Sequence, residues 1–130
     1  MSKSNRILIA EDDEMVRRII KEVLQDDYEL YFAENGSEAL QLANEHKPDL
    51  LLLDIMMPEK NGFEVCRELR KDEEMQKLIV IMVTALSDKD SEKMGLKAGA
   101  DDFLTKPFNP IDLRTKVSLM FRLKDRLLND

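Results

Sequence analysis

Short apolar runs alternate along this chain with longer segments in which apolar residues recur every three or four positions. The short runs predict β-strands at 6–10, 28–33, 50–53, 78–83 and 102–105. The run at 50–53 is leucine alone, and this lack of polar alternation is typical of a strand that is covered on both faces. Because strand and helix alternate five times, the pattern predicts a doubly wound α/β fold, with helices on both sides of a parallel sheet.

The longer segments predict five helices. The first carries one apolar stripe at helical spacing, formed by Val16, Ile19, Ile20, Val23 and Leu24. The second and third are expected to bury Ala39, Leu40, Ala43, Val65, Cys66 and Leu69. The residues expected to begin or end the later helices are Asn35, Pro48, Ser87 or Asp88, Gly99 and Asn109.

Composition narrows the class of protein. A chain of 130 residues fits one domain, and its 43% apolar residues can form a core. The net charge of −7 argues against a nucleic-acid surface, which needs clustered Lys and Arg, so any DNA-binding role would belong to another domain. The single cysteine, Cys66, excludes an internal disulfide and a cysteine-based zinc site. Residues 1–5 lead into a short strand, so we expect no signal peptide or membrane span, and a cytoplasmic protein.

Polar side chains follow four of the predicted strands. Glu11 and Asp12 follow the first strand, Asp54 the third, Thr84 the fourth and Lys106 the fifth. Each has an ordinary explanation when taken alone: a turn residue, a β-branched strand end or a solvated lysine. In a doubly wound sheet, however, the carboxyl ends of the strands share one edge, where ligands bind. The sequence therefore predicts three carboxylates, a hydroxyl and an ammonium around one crevice.

Such a cluster calls for a cation. Two carboxylates about 4 Å apart repel by about 4 kcal/mol at an effective dielectric constant near 20, and a divalent ion relieves that repulsion. Oxygen ligands with room for water and phosphate suit Mg²⁺ better than Ca²⁺. The acidic stretches at 11–14 and 88–92 lack the spacing and the glycine of an EF-hand loop.

A metal-bound carboxylate beside a lysine can attack phosphorus, because both cations neutralise the transferring group. Asp54 is the best-placed nucleophile. Glu11 and Asp12 would hold the metal, Lys106 would pair with phosphoryl oxygens, and Thr84 would donate its hydroxyl to one of them.

With these motifs in their order, the sequence resembles the receiver domain of two-component response regulators, of the chemotaxis-receiver type, over nearly its whole length. The motifs that carry the resemblance are Glu11-Asp12, Asp54 with Met57-Pro58 and Asn61-Gly62, Thr84-Ala85, the segment 99–103 and Lys106-Pro107-Phe108. The resemblance implies a five-stranded parallel sheet with five helices and the flavodoxin-like strand order 2-1-3-4-5. It also implies one receiver domain over 1–130, with its core at about 5–122 and the possible start of a linker helix at 123–130.

The resemblance assigns roles at the metal and phosphoryl site. Asp54 is expected to accept a phosphoryl group from a sensor histidine kinase, a phosphotransfer protein or a small phosphodonor. Asp12 resembles the direct Mg²⁺ ligand, Glu11 a ligand acting mainly through water, and the backbone carbonyl of Met56 a further ligand. Asp13 is expected to cap the first helix, with metal contact as the alternative.

The resemblance also implies a switch. Thr84 moves toward the phosphoryl group, and the ring of Phe103 turns inward to fill the vacated space. The Lys106-Pro107 peptide bond is expected to be cis. The family assigns positioning of the hydrolytic water to the residues two after the acceptor and two after the threonine. Here they are Met56 and Leu86, both apolar, so we predict slow self-dephosphorylation.

The last helix has two apolar faces. One is expected to pack on the sheet and consists of Leu113, Val117, Met120 and Phe121. The second, which we name the α5 seam, consists of Leu119, Leu123 and Leu127. It suits a homodimer through the last helices or a helix that continues to a C-terminal effector domain, and equally a terminal helix with a wide apolar stripe.

Two other functions compete with the phosphoaccepting switch. A Mg²⁺-dependent phosphohydrolase with an aspartyl nucleophile normally has a second acid two residues after it, where Met56 stands. A flavodoxin-like nucleotide binder is disfavoured because no glycine-rich phosphate loop follows the first strand.

Overall fold

A computed structural model of the chain describes residues 5–85 and 89–129, with side chains described up to 127. The described residues form five strands, β1 Arg6–Ala10, β2 Glu29–Ala33, β3 Leu50–Asp54, β4 Ile79–Thr84 and β5 Asp102–Thr105. They also form five α-helices, α1 Glu14–Leu24, α2 Gly36–His46, α3 Gly62–Arg70, α4 Lys89–Ala98 and α5 Pro110–Asn129. A single 3₁₀ turn, Glu73–Met75, lies between α3 and β4.

The strands form one parallel sheet in the order β2-β1-β3-β4-β5, which confirms the predicted fold. The register places Ala10 opposite Leu53, Asp54 opposite Val83, and Thr84 opposite Thr105. The carboxyl ends of these strands therefore lie at one edge of the sheet.

Two apolar layers cover the sheet, and successive residues of each strand contribute to opposite layers. One layer, next to α1 and α5, includes Ile9 and Leu52, and the other, next to α2 and α3, includes Leu8 and Leu51. Every residue of β3 and β4 is buried, which explains their lack of polar alternation. Burial of each leucine contributes about 2 kcal/mol.

Side-chain caps position several helices. Asp13 accepts a hydrogen bond from the amide of Met15 at 2.8 Å and caps α1, as predicted. Asn61 and Glu64 form a reciprocal capping box on α3. The predicted cap of α4 by Ser87 or Asp88 falls outside the described residues.

Helix α5 packs on the sheet through the predicted face, since Leu113, Val117 and Phe121 are buried and Met120 is partly buried. The α5 seam is exposed, by 41% at Leu119, 40% at Leu123 and 79% at Leu127. Within 5–85 and 89–129, none of the helices combines the length and apolar composition needed to cross a bilayer.

At the edge of the sheet opposite the acidic residues, Arg70 joins α3 to three later segments. Its guanidinium donates to the carbonyl of Gly99 at 2.8 and 3.0 Å, of Met75 at 2.9 Å and of Leu78 at 2.8 Å. It also pairs with Asp101 at 3.0 Å. Gly99 has a φ of 110°, and a Cβ there would lie 2.6 Å from the Arg70 Cγ atom. Glycine at residue 99 therefore allows both the positive φ that ends α4 and the close approach of the arginine.

Candidate functional site

The residues predicted to meet at the carboxyl edge of the sheet do meet there. Glu11, Asp54 and Thr84 are buried, with 2%, 4% and 3% of their surface exposed, whereas Asp12 is exposed. Glu11, Asp12 and Asp54 each present a carboxylate oxygen within 4.8 Å of the others. We name these three residues the acidic cluster.

Lys106 joins two members of the acidic cluster. Its Nζ atom lies 2.6 Å from Oε1 of Glu11 and 3.3 Å from Oδ2 of Asp54, and 22% of its side chain is exposed. Burial works against the charged ammonium, but the hydrogen bond to Glu11 and the charges of Asp54 and Glu11 outweigh it, so the pKa of Lys106 is raised. The backbone amide of Lys106 donates to the Thr84 carbonyl at 2.8 Å. Lys106 is therefore held as a cation.

The fold opposes the ionisation of Glu11. Burial, together with the charge of Asp54, raises its pKa to about 7, although Lys106 and the amide of Asp13 act in the opposite direction. The Asp13 amide donates to Oε2 of Glu11 at 3.1 Å. Arg17 donates to the Glu11 backbone carbonyl at 2.8 Å. The fold thus holds a carboxylate in a position where additional positive charge would stabilise it.

The turn after β3 positions Asp54. The amide of Met56 donates to Oδ1 of Asp54 at 3.2 Å, and the amide of Gly62 donates to the Ile55 carbonyl at 2.9 Å. A Cβ at residue 62 would lie 2.7 Å from the Asp54 carbonyl oxygen and 2.8 Å from the Ile55 Cα atom. Glycine therefore lets the start of α3 approach the end of β3 closely enough to close the turn.

The donor set suits a hard divalent cation. When all three carboxylates are ionised, they and the one ammonium carry a net charge of −2, and every side-chain donor in the acidic cluster is oxygen. Exposure of Asp12 leaves one side of the cluster accessible to solvent, as a cation that retains water ligands requires. The residues present could therefore hold a metal ion of the magnesium type.

Comparison with known proteins agrees with this geometry. Residues 7–118 match the family model of the response regulator receiver domain. The chain belongs to this family. Its receiver domains are the phosphoaccepting switches of two-component systems, and this chain is such a signalling switch.

The receiver has relatives among longer regulators and among isolated domains. It is 38% identical over 125 residues to a probable transcriptional regulator, ycf27, of Porphyridium aerugineum, covering 95% of the receiver and 51% of that protein. It is 37% identical over 122 residues to the alkaline phosphatase synthesis transcriptional regulatory protein PhoP of Bacillus subtilis (strain 168), covering 92% of the receiver and 49% of PhoP. The chain thus spans about half the length of these curated relatives.

A solved structure gives the same fold. The CheY-like response regulator receiver domain protein of Methanospirillum hungatei JF-1 superposes with a TM-score of 0.89 at 30% identity, covering 95% of the receiver and 98% of that chain.

The two residues expected to form the switch lie on adjacent strands of the receiver. Thr84 ends β4, and Phe103, on β5, is the register partner of Met82 and is half-buried against the core. The Lys106-Pro107 peptide bond is cis. Leu86 falls outside the described residues, and Met56 is 65% exposed.

Sequence analysis missed Arg17 and did not explain Gly62. Arg17 follows Val16 on α1, and its place in the sequence predicts a solvated helix residue. Its side chain is nevertheless only 18% exposed and donates to the Glu11 carbonyl. Gly62 has no unusual φ, so glycine is required there only because the backbone at the end of β3 lies so close. Neither role leaves a periodic signal in the sequence.

Proposed function

We propose that Asp54 accepts a phosphoryl group from a phosphohistidine donor, in a Mg²⁺-dependent reaction that Lys106 and Thr84 assist. The observation that carries the proposal is the Lys106 ammonium between Glu11 and Asp54, 2.6 and 3.3 Å from their oxygens. In the step, an Asp54 oxygen bonds to phosphorus, the phosphorus–nitrogen bond breaks, and the imidazole, protonated on its other ring nitrogen, leaves as the neutral ring with the electron pair of that bond.

Mg²⁺, held by Glu11, Asp12, Asp54 and the Met56 carbonyl, would supply neutralising charge for the phosphoryl oxygens. The chain's own residues do the remaining work. Lys106 is already a cation beside Asp54 and can follow an oxygen of the incoming group. The Met56 amide orients Asp54 through Oδ1.

Relay of the phosphorylation is assigned to Thr84 and Phe103. A phosphoryl group on Asp54 offers new acceptor oxygens, and the Thr84 hydroxyl would move to one of them. Inward rotation of Phe103 would fill the space and alter the surface of β5 and α5. Phe103 has no hydroxyl, so burial alone determines its preference.

The direct experiment is intact mass spectrometry after incubation with acetyl phosphate and Mg²⁺. We expect the wild type to gain one phosphoryl group, through a base-labile linkage, and Asp54→Asn to gain none. Asp125→Asn on exposed α5 is the matched control and should be labelled like the wild type. Labelling that survives in Asp54→Asn would refute the assignment.

We further propose that the receiver is not a turnover enzyme beyond self-catalysed phosphotransfer and slow self-dephosphorylation. Met56 occupies the position of the general acid in aspartyl phosphohydrolases, and its thioether can neither supply a proton nor orient water. Stoichiometric labelling supports the switch, and continuous phosphate release would support the hydrolase. Met56→Asn combined with Leu86→Glu should shorten the phosphorylated lifetime, and an unchanged lifetime would contradict the role assigned to these positions.

The proposed donor is a sensor histidine kinase or a phosphotransfer protein. An apolar cavity of about 320 Å³ beside the acidic cluster supports protein docking, since Val16 and Ile19 of α1 and Pro107 and Phe108 line it. Ile19→Asp should slow phosphorylation by the kinase while leaving labelling by acetyl phosphate unchanged. Slowing of both reactions would argue against a docking role.

Output is proposed through the α5 seam, as a homodimer or as a connection to an effector domain. The exposed leucines of the seam and the doubled length of the curated relatives support this role. The acidic net charge of −7 supports an output without direct nucleic-acid contact by this chain. We infer a cytoplasmic site of action. Sedimentation with and without phosphorylation tests the dimer, and a Leu123→Lys variant should remain monomeric in both states.

A further inference from the structure

The glycine in the middle of α4 contacts the ring of the proposed switch residue. Gly95 is buried, and a Cβ built on it would lie 2.7 Å from both Cε1 and Cζ of Phe103. The next atom, Cγ of Met82, is 3.8 Å away, an ordinary contact distance. The space above Gly95 is therefore limited by the Phe103 ring alone.

Backbone conformation does not explain this glycine. Among the described residues, Gly99 is the glycine with a positive φ, and Gly95 lies within the helix. Replacing a glycine inside a helix by alanine normally raises the folding equilibrium constant about fivefold. The helix alone would therefore be more stable with alanine at residue 95. The contact with the Phe103 ring supplies a reason for the glycine.

The ring lies between Gly95 of α4 and one core layer of the sheet. Phe103 is half-buried and packs on a core layer that includes Met82 and Ala98. The two atoms that a Cβ would meet form the far edge of the ring. They can move away by rotation of the side chain, without displacement of the strand. A methyl group at residue 95 would therefore turn the ring out of its seat.

We propose that Gly95 is a positioning residue for Phe103, providing the seat that the ring occupies in this structure and thereby setting how strongly phosphorylation of Asp54 is coupled to β5. This inference rests on the proposed function. A ligand that favours one of the two ring orientations changes its affinity when the balance between them is altered. Gly95→Ala should therefore change the binding of a phosphoryl mimic at Asp54 without touching the acidic cluster.

The first experiment is a double-mutant cycle followed by urea unfolding. Gly95→Ala is made in the wild type and in Phe103→Leu, whose side chain lacks the ring edge but keeps apolar volume. In the Phe103→Leu background, we expect Gly95→Ala to raise the folding equilibrium constant fivefold, to within about a factor of two, through helix propensity. We expect no such gain in the wild-type background. The same gain in both backgrounds would overturn the contact.

The second experiment titrates beryllofluoride into the same proteins in Mg²⁺, with Lys97→Ala as a control on the exposed face of α4. We expect Gly95→Ala to change the affinity about three- to tenfold and Lys97→Ala to leave it unchanged. Unchanged binding by Gly95→Ala overturns the inference, while the wild type still supports the proposed function. A wild type that neither binds beryllofluoride nor takes a phosphoryl group overturns the proposed function, and the switch role of Gly95 with it.

Discussion

Replacement of Lys106 by methionine tests the electrostatics of the site. Methionine keeps much of the apolar stem and removes the ammonium that bridges Glu11 and Asp54. At an effective dielectric constant near 20, the two contacts at 2.6 and 3.3 Å correspond to attractions of about 6 and 5 kcal/mol. Partial desolvation of the lysine offsets much of this, and removal of one partner from a buried ion pair costs about 3 kcal/mol.

Urea unfolding followed by circular dichroism measures the loss. We choose pH 8, above the pKa of about 7 of Glu11, so that this carboxylate is mostly ionised. With chelator present, a loss of about 3 kcal/mol and a slope near 2 kcal/mol per molar should lower the urea midpoint by roughly 1.5 M.

Magnesium should then restore more stability to the variant than to the wild type. In Lys106→Met the three carboxylates lack their ammonium, so we expect at least tenfold tighter Mg²⁺ binding, worth about 1.4 kcal/mol at the same free concentration. A variant that is as stable as the wild type without metal, or one that gains no more from Mg²⁺, would refute the electrostatic account.

Lys116→Met is the matched control. Lys116 pairs with Asp102 at 3.2 Å, but both side chains are about one-third exposed. Such a pair contributes less than about 1 kcal/mol. The variant should show the same response to Mg²⁺ as the wild type.

Three further predictions concern packing. Gly62→Ala should lower the free energy of unfolding by about 3 kcal/mol, because its Cβ would meet backbone atoms that cannot turn away; an unchanged urea midpoint would contradict this. Arg70→Met should also cost about 3 kcal/mol, since it leaves several carbonyls without their donor, whereas Arg67→Met on the exposed side of α3 should cost little. Cys66 is fully buried and burial raises the pKa of its thiol, so a thiol reagent should react only as fast as the protein opens; rapid labelling of the folded chain would disprove this.

The sequence by itself determined the fold and the composition of the acidic edge. Four successive leucines before Asp54 indicate a strand buried on both faces, and such strands belong to parallel sheets. Parallel topology then brings the ends of distant strands to one edge, so Glu11, Asp54 and Lys106 could be placed together without coordinates. Local periodicity and one topological rule sufficed, because both depend on residue type and order rather than on particular atomic contacts.

Only the tertiary structure decided which atoms meet. The bridging position of Lys106, the reach of Arg17 to the Glu11 carbonyl and the contact of Arg70 with Gly99, 29 residues later, depend on side-chain directions that no periodic pattern encodes. Gly95 shows this most clearly, since the sequence predicts only that a glycine at this position makes the helix less stable. Its contact with Phe103 exists because packing of α4 on the sheet brings together two residues that contribute nothing to each other's secondary structure.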